Sequence, residues 1–203
     1  MGDASEAGVL VHLVATGADA RAEARELALW AAAGLVGAGP GAVTLGHEVG
    51  GRPVLGGAAE GVWVSVSHGR GVAAVALSRR WAVGVDVESV RRVPAVPLAR
   101  SWYAAEEVAW LEQRAEEGRQ RDFFWLWTRK EAVGKALGLG LRDGGTRRLV
   151  GLPGQVAEAG GKLTEARGHC FAMLPAGPAV CAVAVAGGAA DGATVELRTD
   201  VFR

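Results

Sequence analysis

The stretch "GVWVSVSHGRGVAAVALSRRWAVGVDVE" (61–88) constrains the fold more than any other. Runs rich in Val, Ala and aromatic residues near 62–67, 72–78 and 82–88 are separated by the turn-forming "HGRG" and "SRRW". Short runs joined by such turns read as strands, here an antiparallel meander. The third run raises a question. In an extended chain Asp86 and Glu88 point to one side, and Val83, Val85 and Val87 to the other. Two like charges on a packed face repel, and each loses hydration. Something in the fold has to compensate them.

Around this region the order is helix, strands, helices, strands. "ADARAEARELALWAAAGLVG" (18–37) places Leu27, Trp30, Ala31 and Leu35 at helical spacing and ends near Gly34 or Gly37. The turn-rich 39–57 segment holds one strand near 42–49, and "VRRVPAVPLA" (90–99), with two prolines, reads as a loop or linker. Helices are expected over 104–117 and 120–137, then strands near 148–151, 169–174, 179–186 and 194–198. The expected class is α+β: two halves, 1–90 and 91–203, each an antiparallel sheet packed against helices. Two hairpins of similar composition, "WVSVSHGRGVAAVALS" and "CFAMLPAGPAVCAVAVA", hint at related halves.

The chain has 203 residues, half of them hydrophobic, and a formal net charge of +0. That argues against a general binder of nucleic acid or membrane surfaces, which needs a basic excess. "MGDASEAGVLVHLVATG" lacks the basic start of a leader, and no run is long and apolar enough to cross a bilayer, so a soluble cytoplasmic protein is expected. Cys170 and Cys181 show neither metal-ligand spacing nor a disulfide framework, and buried free thiols are expected. Of the basic residues 19 are Arg and three are Lys, two of them in one stretch, "WTRKEAVGKALGLGL" (127–141).

If that stretch is helical, Trp127, Glu131 and Lys135 share a line, four residues apart. Alone, Glu131 and Lys135 read as an ordinary surface pair. The apolar flanks "FFWLW" and "AVGKALGLGL" instead suggest a buried helix. "SVSHGRG" (65–71) sets Ser67 and His68 at a strand end, where backbone N–H groups and a histidine suit a phosphate; no third partner for a nucleophile triad is in reach. "GGRPV" (50–54) puts Arg52 on a tight turn. One hard divalent cation, Mg²⁺ or Mn²⁺, shared by Asp86, Glu88 and Glu131 would cancel their repulsion, with the basic residues on a polyanionic substrate.

"SVSH", "GVDVE" and "FFWLWTRKEAVGKALGLGL", in that order and separation, resemble the 4'-phosphopantetheinyl transferases of the surfactin-synthetase-activating type, over about 51–141. The resemblance implies two pseudo-symmetric α+β halves with coenzyme A in the cleft between them. It implies transfer of the phosphopantetheine arm onto a serine of an apo acyl or peptidyl carrier protein, with release of adenosine 3',5'-bisphosphate. By it, Asp86, Glu88 and Glu131 are the metal-binding acids. Glu131, Lys135 and His68 carry the chemistry, Glu131 as the best candidate for the base. Arg52, Ser67, His68, Lys130 and Lys135 contact coenzyme A, and Glu106 matches an acid at a similar helix start. Gly69 stands where the family usually has a small polar residue, and Arg21 and Arg25 are candidates for the 3'-phosphate, or else a solvated helix face. A monomer is expected, with apolar side chains of 90–108 offered to a carrier helix or buried as core. The rival readings are a metal-dependent phosphohydrolase and a carrier-binding homologue without activity.

Overall fold

The computed structural model describes residues 8–39, 41–153 and 161–199. The first six residues of the amino-terminal stretch read above for a leader, and the seventh, lie outside them. The elements run β1 (Val9–Ala15), α1 (Ala20–Val36), β2 (Val43–His47), β3 (Pro53–Gly57), β4 (Trp63–Gly69), β5 (Val72–Ser78), β6 (Val83–Ser89), α2 (Ala95–Trp102), α3 (Ala105–Glu112), α4 (Glu116–Ala136), β7 (Thr164–Ala166), β8 (His169–Leu174), β9 (Ala179–Ala186) and β10 (Val195–Arg198). A short 3-10 turn, Gly145–Arg147, follows α4. The class is α+β, as expected.

Two four-stranded sheets form the centre, ordered β10-β1-β5-β4 and β6-β9-β8-β7; β2 and β3 make a separate hairpin. Strand alternation sorts the side chains. Val9, Val11 and Leu13 of β1 meet Val83, Val85 and Val87 of β6 and Cys181, Val183 and Val185 of β9 in a core between the sheets. Leu10, Val14, Val75 and Leu77 face the other way, onto Leu27, Ala28 and Ala31 of α1. Ala182 and Ala184 of β9 turn to α4, with Phe123, Phe124 and Leu126. Both thiols are free and buried, and Cys181 pairs across from Leu174, away from Cys170.

Several expectations are corrected. β4 and β5 form the expected hairpin, but β6 leaves the meander and pairs with β9 in the second sheet. Its two faces explain this: the valines fill the inter-sheet core, and the Gly84 and Asp86 face lies under α4, so neither can be left to solvent. β10 returns to pair with β1 in parallel, the one parallel ladder among the described strands. The sheets therefore do not follow a division at residue 90 strand for strand. β3 and β7 were not expected, and 148–151 is not a strand. The segment with two prolines starts a helix, α2, directly after Pro94. α3 stops at Glu112 and α4 starts at Glu116, with Glu116 and Glu117 at the positive end of the helix dipole. No helix among the described residues is long and apolar enough to cross a membrane.

Candidate active site

Close approach of α4 to β6 builds the site. A Cβ on Gly84 would collide with the Ala132 carbonyl and with the Ala136 nitrogen, so the helix rests on bare strand backbone there. A Cβ on Gly134 would meet the Gly140 carbonyl, because the chain folds back over the helix end, with Leu139 N and Gly140 N both donating to the Gly134 carbonyl at 2.9 Å. This packing carries Glu131 and Lys135 to the acid-bearing face of β6.

On that face Lys135 Nζ donates to Asp86 Oδ1 at 2.7 Å and to the Val85 carbonyl at 3.0 Å. Ser67 Oγ donates to the same Oδ1 at 2.8 Å. The serines of "SVSH" also close the edge of β6: Val85 N donates to Ser65 Oγ at 3.0 Å and Val87 N to Ser67 Oγ at 3.3 Å. Buried backbone N–H groups need such partners, and here hydroxyls of β4 supply them where no ladder exists. Asp86 Oδ2 is buried and has no protein partner.

The two acids of the opening strand are thus compensated separately. Asp86 is buried and held by Lys135 and Ser67, while Glu88 is half-buried and takes Arg91 Nη1 at 2.7 Å. Glu131 stands beside them. Burial first, then the Asp86 charge and also that of Glu88, push its carboxyl up to about 6, with Lys135 pulling the other way. Among the described residues no three His, Cys, Asp or Glu side chains form a ready cage for a metal ion. The donor set nonetheless suits a hard cation: an unpartnered carboxylate oxygen on Asp86, and a neighbouring Glu131 whose ionisation is opposed by two acids.

Of two neighbouring cavities, the first is lined by Lys135 and Ser65 of this cluster. Of ≈ 370 Å³, it also takes in Arg52, Arg142 and the 138–141 turn. The other, of ≈ 450 Å³, gathers Arg21, Arg25, His47 and His68 on one wall system with Asp19 and Leu45. Gly51, Pro53 and Val66 line both, so they share a partition. His68 is exposed at the end of β4 and opens on the second cavity, while Lys135 opens on the first.

Two expected residues lie elsewhere. Lys130 is fully buried, with Nζ on Glu107 Oε1 at 2.7 Å, on Oε2 at 2.6 Å and on the Arg148 carbonyl at 2.6 Å. Its three protons are spent, so a coenzyme contact by Lys130 does not fit this structure. Burial lowers the Lys130 ammonium and raises the Glu107 carboxyl, and their mutual contact opposes both shifts. Glu106 is exposed and pairs with Arg167 at 3.0 Å, so the buried acid of that helix start is Glu107, which also accepts from Ala104 N at 3.1 Å. Sequence reading missed Glu107, Ser65 and Arg142. For Glu107 a signal existed: it follows Ala104 by three residues, the spacing at which a glutamate reaches back to the start of a helix.

The sequence model of the 4'-phosphopantetheinyl transferase superfamily matches residues 82–155, which include Asp86, Glu88, Glu131 and Lys135. Over 157 residues the chain is 31% identical to the 4'-phosphopantetheinyl transferase HetI of Nostoc sp. (strain PCC 7120). The aligned stretch takes in 76% of this chain and 65% of that relative, just under two thirds of its length.

Proposed function

We propose that this chain, which matches the 4'-phosphopantetheinyl transferase superfamily model over residues 82–155, transfers the 4'-phosphopantetheine arm of coenzyme A to a serine of an apo acyl or peptidyl carrier protein. The reaction is Mg²⁺-dependent and releases adenosine 3',5'-bisphosphate. The observation that carries this reading is the Lys135–Asp86 contact, with Glu131 close enough to feel the Asp86 charge and Lys135 itself on the wall of a cavity.

In this reading Asp86 and Glu131 would hold the metal, with Glu88 next to them. Bound there, Mg²⁺ would offset the charge of the pyrophosphate and of the leaving phosphate. Lys135 offers its ammonium to the pyrophosphate from the cavity wall. The Arg21 and Arg25 guanidinium groups, with the imidazole donors of His47 and His68, form a wall for the adenosine phosphates. The attacking serine belongs to the carrier, so this chain needs no nucleophile. The serine oxygen bonds to the phosphorus that bears pantetheine, and that phosphorus loses its bond to the bridging oxygen. The bridging oxygen leaves with adenosine 3',5'-bisphosphate, and the serine proton passes to Glu131.

The test is to incubate the chain with coenzyme A, Mg²⁺ and a panel of apo carriers from fatty-acid, polyketide and peptide synthesis, and to weigh each carrier. A gain of one phosphopantetheine group on a carrier is the expected result. Coenzyme A cleaved without a carrier would point to a phosphohydrolase. Binding with no change in mass would point to a homologue that only binds carriers.

A further inference from the structure

The turn between β2 and β3 reaches across to the end of α4. Arg52 Nη2 donates to the Ala136 carbonyl at 3.2 Å. The guanidinium carbon lies 4.6 Å from the centroid of the Trp63 ring. Its Nη1 sits against Gly138, where an added Cβ would come within 3.2 Å of it. The turn itself is braced, with Glu48 N donating to the Arg52 carbonyl at 2.9 Å and Gly51 N to the Glu48 carbonyl at 2.8 Å.

Ala136 follows Lys135 in the last turn of α4. Carbonyls there lack helical partners, and the negative end of the helix dipole favours a cation. One guanidinium edge is spent on the helix end and one face on Trp63. A planar fork used in this way is poorly placed to clamp a phosphate with two parallel bonds. The nucleotide contact that family resemblance gives Arg52 therefore competes with a role already visible in the fold.

We propose that Arg52 is a positioning residue: it clasps the last turn of α4 to the β2–β3 turn and so holds the Lys135 ammonium on Asp86. It acts through Lys135, not through the nucleotide. Its effect on transfer rests on the function proposed above, whereas its effect on Lys135 concerns the chain alone.

The scarcity of lysine supplies the test. With three lysines in the chain, ¹H–¹⁵N spectra of the ammonium groups can follow Lys130, Lys135 and Lys162 separately. In Arg52→Ala, proton exchange at Lys135 Nζ should speed up by about tenfold, and in Trp63→Leu by less. Lys130, held by Glu107 and Arg148, should keep its wild-type rate in both. Unchanged exchange at Lys135, or equal loosening of Lys130 and Lys135, would overturn the proposal. A double-mutant cycle in kcat/KM adds a readout that general loosening does not mimic. Arg52→Ala should cost about tenfold in the wild type and less than about twofold in a Lys135→Met background. Losses that multiply would mean that Arg52 touches the substrate independently, and would also overturn it. If the wild type transfers nothing to any carrier, the functional reading fails, and the ammonium spectra still decide the clasp.

Discussion

Lys130 and Lys135 sit five residues apart on one helix, each ion-paired to an acid from another element, yet they do opposite things. The Lys130–Glu107 pair is closed at 2.6 Å with side chains 0% and 1% exposed. The Lys135–Asp86 pair, at 2.7 Å, is 27% and 9% exposed and opens on a cavity. Five residues at about 100° each turn the two lysines roughly 140° apart around α4. One phase points at α3 and the hydrophobic cluster behind it, and the other at the edge of β6. Lys130 spends its protons on Glu107 and the Arg148 carbonyl. Lys135 has Asp86 and the Val85 carbonyl as acceptors and faces free space. The same residue type in the same short motif serves the fold at one position and a ligand at the other.

Breaking the closed pair should have the largest effect. Lys130→Met leaves Glu107 charged and buried without its partner, and should lower unfolding stability by about 3–5 kcal/mol in urea titrations. Adding Glu107→Leu should recover most of that loss, because a packed apolar pair can replace a buried ion pair. A Lys130→Met chain of normal stability that no longer binds coenzyme A would erase the distinction. The open pair should respond the other way round. Lys135→Met should cost less stability than Lys130→Met, because the ammonium is partly exposed and Asp86 keeps Ser67, while transfer to a carrier falls by about 100-fold, roughly 2.7 kcal/mol. Lys135→Arg should also lose activity, since a planar head does not replace a compact ammonium at a crowded phosphate. Unfolding of the Lys135 variants in step with those of Lys130 would contradict this.

A smaller effect concerns the acid beside the open pair. Burial and the neighbouring acids push the folded Glu131 carboxyl up to about 6, from an ordinary value of 4.5. The folded state therefore binds the proton more tightly, and the stability it contributes is present below pH 4.5 and lost as pH rises through about 6. The full shift corresponds to about 2 kcal/mol, and partial solvent exposure reduces it to about 1 kcal/mol. Without Mg²⁺, the pH–stability slope of Glu131→Gln in that window should be flatter than that of wild type. Added Mg²⁺ should flatten it in the wild type alone. The smallest effect belongs to the third lysine: Lys162→Arg, on an exposed site, should change stability by less than about 0.5 kcal/mol and leave transfer unaltered.

Much of this was legible in the sequence, because it rests on local periodicity. Alternation in β6 sorts its valines from its acids, and the helix carrying Trp127, Glu131 and Lys135 follows from its spacing. The approach of Glu131 to the acid face of β6 was anticipated from the need to offset the clustered carboxylates and from the family motif. What escaped depends on contacts between distant segments. Neighbouring runs joined by "SRRW" suggest a hairpin, and nothing local says that β6 pairs with β9 instead. The return of β10 to β1 is equally non-local. Helix phase was the other loss. Glu106 and Glu107 differ by one residue, or about 100°, which separates an exposed side chain from a buried one. The same uncertainty hid the burial of Lys130.

The most direct measurement titrates coenzyme A and Mg²⁺ into the wild-type chain while the three lysine ammonium signals are followed. The account predicts that the Lys135 signal shifts saturably, while Lys130, walled in by Glu107 and Arg148, and the exposed Lys162 stay in place. A saturable shift at Lys130 with Lys135 unmoved, or binding that disturbs neither, would contradict it.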